Sequence, residues 1–174
     1  MIYFLDFDRT LFDTPAFAQY LHTRDDTGKI LEQCVYKDIA QTLVPFIESG
    51  EVTFPPGELG KFVYSDVPEF LRMTGNGSII VTYGAVLFQK AKVDSALFGI
   101  PRVSVRYTGE IQKGPFLSKH LENYFGKKLF VDDKPSVLEN ISEHCSDMEL
   151  YEIRRDGETG DGRWKVINSL NELP

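Results

Sequence analysis

Two carboxylates one residue apart close the first apolar run of the chain: Asp6-Phe7-Asp8-Arg9-Thr10 follows Ile2-Tyr3-Phe4-Leu5. Side chains alternate along a strand, so Asp6 and Asp8 share a side while Phe7 returns to the core. Two such groups at a strand end repel each other unless a cation lies between them or one takes a proton. That arrangement suits magnesium-assisted phosphoryl transfer, in which one carboxylate attacks phosphorus and the other delivers a proton. A solvated acidic turn is the simpler reading of these residues taken alone. A calcium loop fails on residue type: its sixth position would be Leu11 where glycine is needed, and its twelfth Phe17 where glutamate is needed.

Three further signals follow in order. Thr82-Tyr83-Gly84 succeeds Ile79-Ile80-Val81, and a hydroxyl with free backbone N–H groups at a strand-to-helix turn suits a phosphate. Threonine is also a common helix N-cap. Lys113 stands at a predicted helix start in Ile111-Gln112-Lys113-Gly114-Pro115. A cation there opposes the helix dipole, which implies an anion to offset it; an exposed surface lysine is the alternative. Finally, Asp132 and Asp133 close the run Leu129-Phe130-Val131. Adjacent acids at a buried strand end are costly without a metal or hydrogen-bond donors, although Asp133 could cap a helix starting at Pro135.

The elements that must position these residues are legible from apolar spacing. Ile2 to Leu5 is apolar at consecutive positions, as in a central parallel strand buried on both faces. Short runs recur at 78–81, 103–105, 128–131 and 149–153. Between them, 84–98 carries Val86, Leu87, Ala91 and Leu97 at helical spacing; 115–125 and 135–145 repeat the pattern, each with proline in its first turn. Strand and helix alternating in this way predict an α/β core with a doubly wound parallel five-stranded sheet. Roughly seventy residues separate the first two strands, far more than a crossover needs. Within them, the stretches 17–21 and 30–47 have helical periodicity, Gly50 to Gly60 reads as loop, and Val67 to Met73 reads as the crossover helix. The expected division is a core of residues 1–13 and 65–174 with a small helical insertion at 14–64. Insertions after a first strand sit above the ligand-binding end of open α/β sheets. Arg163 to Ile167 is expected to pair back as a hairpin, with a short helix near Leu170.

Composition narrows the partners. A hydrophobic share of 42% with 26% charged residues fits a soluble globular chain. No apolar run is long enough to span a bilayer, and the N-terminus turns acidic too early for a signal peptide, so a cytoplasmic protein is expected. The net charge of −7 opposes binding to nucleic-acid backbones or anionic membranes. It still permits a small phosphorylated substrate, given a metal and local cations. Cys34 and Cys145 lie far apart and outside any metal-ligand spacing, so two free thiols are expected. The three histidines are scattered, which argues against a zinc site.

Taken together, DFDRTLFDT, IIVTYG, KG and LFVDD resemble the four sequence motifs of the haloacid dehalogenase (HAD) superfamily, with Lys113 nineteen residues before Asp132. The resemblance spans nearly the whole chain. It implies that Asp6 is the nucleophile, and that Asp8 first protonates the leaving oxygen and then activates water. It further implies that Thr82 and Lys113 hold the transferring phosphoryl group. Magnesium would be bound by Asp6, Asp132 and the Asp8 main-chain carbonyl, with Asp133 binding through water or supporting the site, and Thr10 would order the loop. Arg9 replaces the glycine of the commoner family form and reads as a surface residue. The implied activity is that of a phosphatase acting on a phosphate monoester, with sugar phosphates, nucleotides, cofactor precursors and phosphoproteins all open. A phosphomutase or phosphotransferase would keep every residue named; a non-catalytic phospho-ligand-binding protein would not need both Asp6 and Asp8. Dehalogenases of this fold lack the second carboxylate. No GxxxxGK[ST] loop or GxSxG elbow supports a P-loop nucleotide site or a serine hydrolase.

Overall fold

Apolar residues at consecutive strand positions need a sheet covered on both faces, and the fold supplies one. The computed structural model describes residues 1–32, 38–100, 103–160 and 162–174. Its strands are β1 (Ile2–Leu5), β2 (Ser78–Thr82), β3 (Ser104–Tyr107), β4 (Lys128–Asp132), β5 (Met148–Ile153) and β6 (Lys165–Ile167). They form one parallel sheet in the order β3-β2-β1-β4-β5-β6. The chain builds outward from β1 through β2 to β3, then returns to place β4 on the other side of β1. The order therefore reverses between β1 and β4, and their carboxyl ends flank the crevice where open α/β sheets bind ligands.

Alternation along each strand feeds two apolar layers. Phe4, Ile79, Val81 and Phe130 pack with Leu117 of α6 (Lys113–Ser118) and with Leu138 and Ile141 of α7 (Pro135–His144). Leu5, Ile80, Leu129 and Val131 point to the other layer. There they meet Val67, Phe70 and Leu71 of α4 (Val67–Thr74) and Phe88, Val93 and Ala96 of α5 (Val86–Ala96). Full burial of each such side chain contributes roughly 1.5–3 kcal/mol. Cys145 is a buried free thiol at the edge of the first layer, while Cys34 lies outside the described residues.

The long segment between β1 and β2 holds α1 (Thr14–Thr23), α2 (Asp25–Glu32), α3 (Ile39–Ser49) and a 3-10 turn at Glu58–Phe62. Asp13 caps α1 by accepting from the Ala16 N–H, and Asp38 caps α3 by accepting from Ala40. Phe12, Phe17, Phe54 and Phe62 interlock edge to face, and Phe17 reaches Phe88 of α5. The helices of this segment thus share one apolar cluster with the sheet.

Two expectations are corrected. The sheet has six strands, and β6 joins β5 in parallel instead of folding back as a hairpin. Eleven residues, 154 to 164, separate these strands, too many for a tight hairpin turn; the Gly- and Asp-rich stretch returns the chain to the starting end of β5. The Gly50-to-Gly60 loop also contains the start of the 3-10 turn, and the terminal helix is a 3-10 turn at Leu170–Glu172. Among the described residues, no helix is long and apolar enough to cross a membrane.

Candidate active site

Asp6 follows the last residue of β1 and Asp132 ends β4, so the neighbouring strands deliver both to the crevice. They are 6% and 1% exposed. Lys113 begins α6, is 5% exposed, and spans the two acids: its Nζ donates to Asp6 Oδ1 and, at 2.7 Å, to Asp132 Oδ2. The offsetting anions expected for this lysine are these two, and the surface alternative is removed. Gly114 explains how the cation gets so deep. A Cβ there would lie 2.4 Å from the Asn140 carbonyl of α7, so only glycine lets α6 approach this closely. Its N–H donates to Asn140 Oδ1 at 3.0 Å.

Asp133 does not cap α7. That helix has Lys134 at its N-cap position with no side-chain cap, and Asp133 Oδ1 is buried with no hydrogen-bond partner. Asp132 Oδ1 instead accepts from the Lys134 N–H at 3.0 Å. Thr82 ends β2, and it too caps nothing. The N-cap position of α5 is Ala85, and the Thr82 hydroxyl is buried without a partner. The turn after it uses Gly84 at φ 117°, a conformation that side chains disfavour. Thr10 is fully buried in the loop, its hydroxyl likewise unpartnered.

Crowding sets the electrostatics. Burial is the main force raising the Asp6 carboxyl above its ordinary range; Lys113 pulls it down, but Asp132 and Asp8 push with burial. Asp132 is likewise raised by burial against the pull of Lys113. Burial and then the Asp6 charge lift Asp133 to about 6. Burial opposes the charge of Lys113, yet Asp132 and Asp6 outweigh it and hold the ammonium above its ordinary range. Oxygen atoms of Asp6, Asp132 and Asp133 all lie within 4.8 Å of one another. Three carboxylates facing a single lysine carry two uncompensated negative charges when ionised. An all-oxygen donor set with that deficit, including the orphaned Asp133 Oδ1, fits one hard divalent cation.

Asp8 stands apart from that cluster. Its Oδ1 accepts from Thr14 Oγ1 and Lys92 Nζ, each at 2.6 Å, and its Oδ2 accepts from Gln89 Nε2 at 2.9 Å. Burial pushes this carboxyl up, but the Lys92 ammonium and the three hydrogen bonds outweigh it and leave it below the ordinary carboxylate range. Neither Lys92 nor Gln89 is anticipated from apolar spacing. The apolar residues noted for α5 included Val86 and Leu87, which are exposed; the buried face carries Gln89, Lys92 and Ser95. The available signal is Lys92 itself, lying between Phe88 and Ala96 at four-residue steps and so inside an apolar stripe.

Two cavities meet at this point. The smaller, about 340 Å³, is lined by Asp6, Lys113, Asp132 and Asn140, among others; the larger, about 1060 Å³, runs between α1, α3 and α5 past Phe17, Val44 and Phe88. Asp8, Tyr83 and Lys134 line both. Arg9 is exposed, as expected, and also lines the larger cavity. Its φ of 61° is left-handed, which is why glycine suits this position.

No protein-family model and no curated protein matches the sequence. Solved structures match its fold. A Burkholderia xenovorans protein assigned as a haloacid dehalogenase-like hydrolase superposes with a TM-score of 0.68 at 18% identity, covering 99% of this chain and 94% of that one. YfnB of Bacillus subtilis, assigned as a HAD hydrolase and solved bound to magnesium, gives 0.60 at 14% identity over 99% and 96%. A dehalogenase solved with an intermediate complex gives 0.61 at 14% over 99% and 94%. The chain has the HAD-like fold.

Proposed function

We propose that the chain is a magnesium-dependent phosphohydrolase that cleaves phosphate monoesters through an aspartyl-phosphate on Asp6. One observation carries this reading: Asp8 lines both cavities, whereas Asp6, Lys113 and Asp132 line only the smaller. A phosphoryl group in the smaller cavity meets Asp6, and its ester oxygen then falls at the boundary, beside Asp8, with the rest of the substrate in the larger. The fold alone does not choose the reaction, since one of the similar structures is a dehalogenase. Asp8 supports phosphoester cleavage: a departing halide needs no proton, whereas an alkoxide leaving group does.

The Asp6 carboxylate forms a bond to phosphorus as the bond from phosphorus to the ester oxygen breaks, and that oxygen takes a proton from Asp8. Asp8 rests ionised, so the ester, bound as its monoanion, first passes its proton to Asp8, which hands it on to the leaving oxygen. Water then gives a proton to Asp8 while its oxygen attacks phosphorus and the bond to Asp6 opens. Lys113 opposes charge on the equatorial oxygens, and the unpartnered Thr82 hydroxyl is available to donate to one of them. Asp6, Asp132 and Asp133 with the Asp8 main-chain carbonyl would hold magnesium, which would supply further charge neutralisation when bound; the magnesium bound to YfnB supports this choice of ion. Residues 14–64 act as a small cap over a small phosphorylated substrate.

The test is release of inorganic phosphate from a panel of monoesters, with magnesium and no added acceptor. Release should stop with chelator and with Asp6→Asn, and fall by about 10²-fold or more with Asp8→Asn. An inert wild type, or an active Asp6→Asn protein, would remove the reading. Turnover only in the presence of an added hydroxyl acceptor would make it a phosphotransferase.

A further inference from the structure

A buried lysine holds the second carboxylate. Lys92 is 2% exposed, and its ammonium lies 5.4 to 5.6 Å from the ring centres of Phe7, Phe12 and Phe88. Its ion-pair partner among the described residues is Asp8. Taking an ammonium out of water costs several kcal/mol unless its partner geometry is good, and an apolar residue would complete the stripe from Phe88 to Ala96 without that cost. One turn earlier on the same face, Gln89 Nε2 donates both to Asp8 Oδ2 and, at 3.0 Å, to the Tyr83 carbonyl. The amide thereby ties Asp8 to the turn that follows Thr82.

A carboxylate offers about four acceptor sites. Thr14 and Lys92 take both on Oδ1, and Gln89 takes one on Oδ2. One site remains, on Oδ2. We infer that Lys92 and Gln89 are positioning residues that lock the Asp8 rotamer and leave Oδ2 as the atom exchanging protons with the leaving oxygen and with water. The kinetic consequence rests on the phosphohydrolase reading; the structural one does not.

Lys92→Met keeps the length and removes the donors. With an alkyl phosphate, whose two steps both need Asp8, its kcat should fall by on the order of 10²-fold, with KM changed by less than about threefold. With 4-nitrophenyl phosphate, whose leaving oxygen needs no proton, rapid mixing should show a burst of nitrophenolate near one equivalent per site, because water attack on the aspartyl-phosphate becomes slow. Lys92→Arg should recover most of kcat. Unchanged kcat, a change in KM alone, or a burst that shrinks in step with activity would overturn the inference. Should Lys92→Met fail to fold, Gln89→Leu is held to the same criteria with a smaller loss. Were wild-type protein inert, the phosphohydrolase reading would fail separately. A crystal structure of Lys92→Met then decides the positioning: the Asp8 carboxylate should leave its place, and an unmoved Asp8 would overturn the inference.

Discussion

Asp6, Asp132 and Asp133 compete for a single lysine, and that competition has a measurable sign. Asp6 and Asp133 sit above the ordinary carboxylate range when no cation is present. The folded state therefore binds protons more tightly than the unfolded chain does. The stabilisation this gives is complete below the ordinary carboxylate pKa near 4 and is lost as pH rises through the raised values, which for Asp133 means about 6. A divalent cation competes with those protons, so its binding should release them and stabilise more at high pH. At a fixed magnesium concentration, the rise in melting temperature should be larger at pH 8 than at pH 5. Asp132→Asn should abolish most of that rise at both. A shift of equal size at the two pH values would separate the cation from these carboxylates.

At the level of elements, two contacts tie neighbouring segments together. The first is α6 against α7 at Gly114. Gly114→Ala would drive a Cβ into the Asn140 carbonyl, costing about 1–3 kcal/mol of stability by overpacking and drawing Lys113 out of reach of Asp6. Urea denaturation and a loss of phosphate release should register both; a stable, active variant would mean that the helices separate freely. The second is the ion pair of Asp66 with Arg155. Arg155 donates twice to the Thr10 carbonyl and twice to Asp66, which also accepts from Ser169 and the Leu170 N–H. Burial pushes Asp66 up, but Arg155, Leu170 and Ser169 outweigh it, and its pKa lies below the ordinary value. Its contribution is thus present above pH 4 and lost as pH falls through the lowered value. Asp66→Asn should cost roughly 2 kcal/mol near neutrality, with the difference from wild type shrinking below pH 4. A difference that does not shrink at all as pH falls below 4 would rule out the charge as its source. These contacts also show what a sequence can disclose. The strands, the crossover helix and the four motif positions lie in local apolar runs and turn residues, so spacing finds them. Lys92, Gln89 and Arg155 act on residues 84, 81 and 145 positions away, and no local pattern encodes a partner that distant. The β6 pairing failed for a related reason: turn composition marks a reversal, while loop length decides where the chain goes next.

Across the whole molecule, charge and cavity pull in opposite directions on an anionic substrate. The net charge of −7 repels it at long range. At the entrance, Arg9 and Lys134 line the larger cavity and form no salt bridge among the described residues, although Asp38 and Glu110 line it too. Those four charges cancel, so on the phosphohydrolase reading the approach of an anionic substrate should follow the global field, and its capture should depend on Lys113 and a cation deeper in. Salt screens the first of these over about 10 Å at 0.1 M and barely touches buried pairs. Raising ionic strength from about 0.02 to 0.2 M, a range over which the screening length shortens several-fold, should therefore increase kcat/KM while leaving kcat unchanged. Arg9→Ala should steepen that increase, because it leaves the repulsive field less opposed at the mouth. A fall in kcat/KM with salt would show that the entrance cations dominate the encounter, and would move Arg9 from a bystander on a left-handed turn to a residue that recruits the substrate.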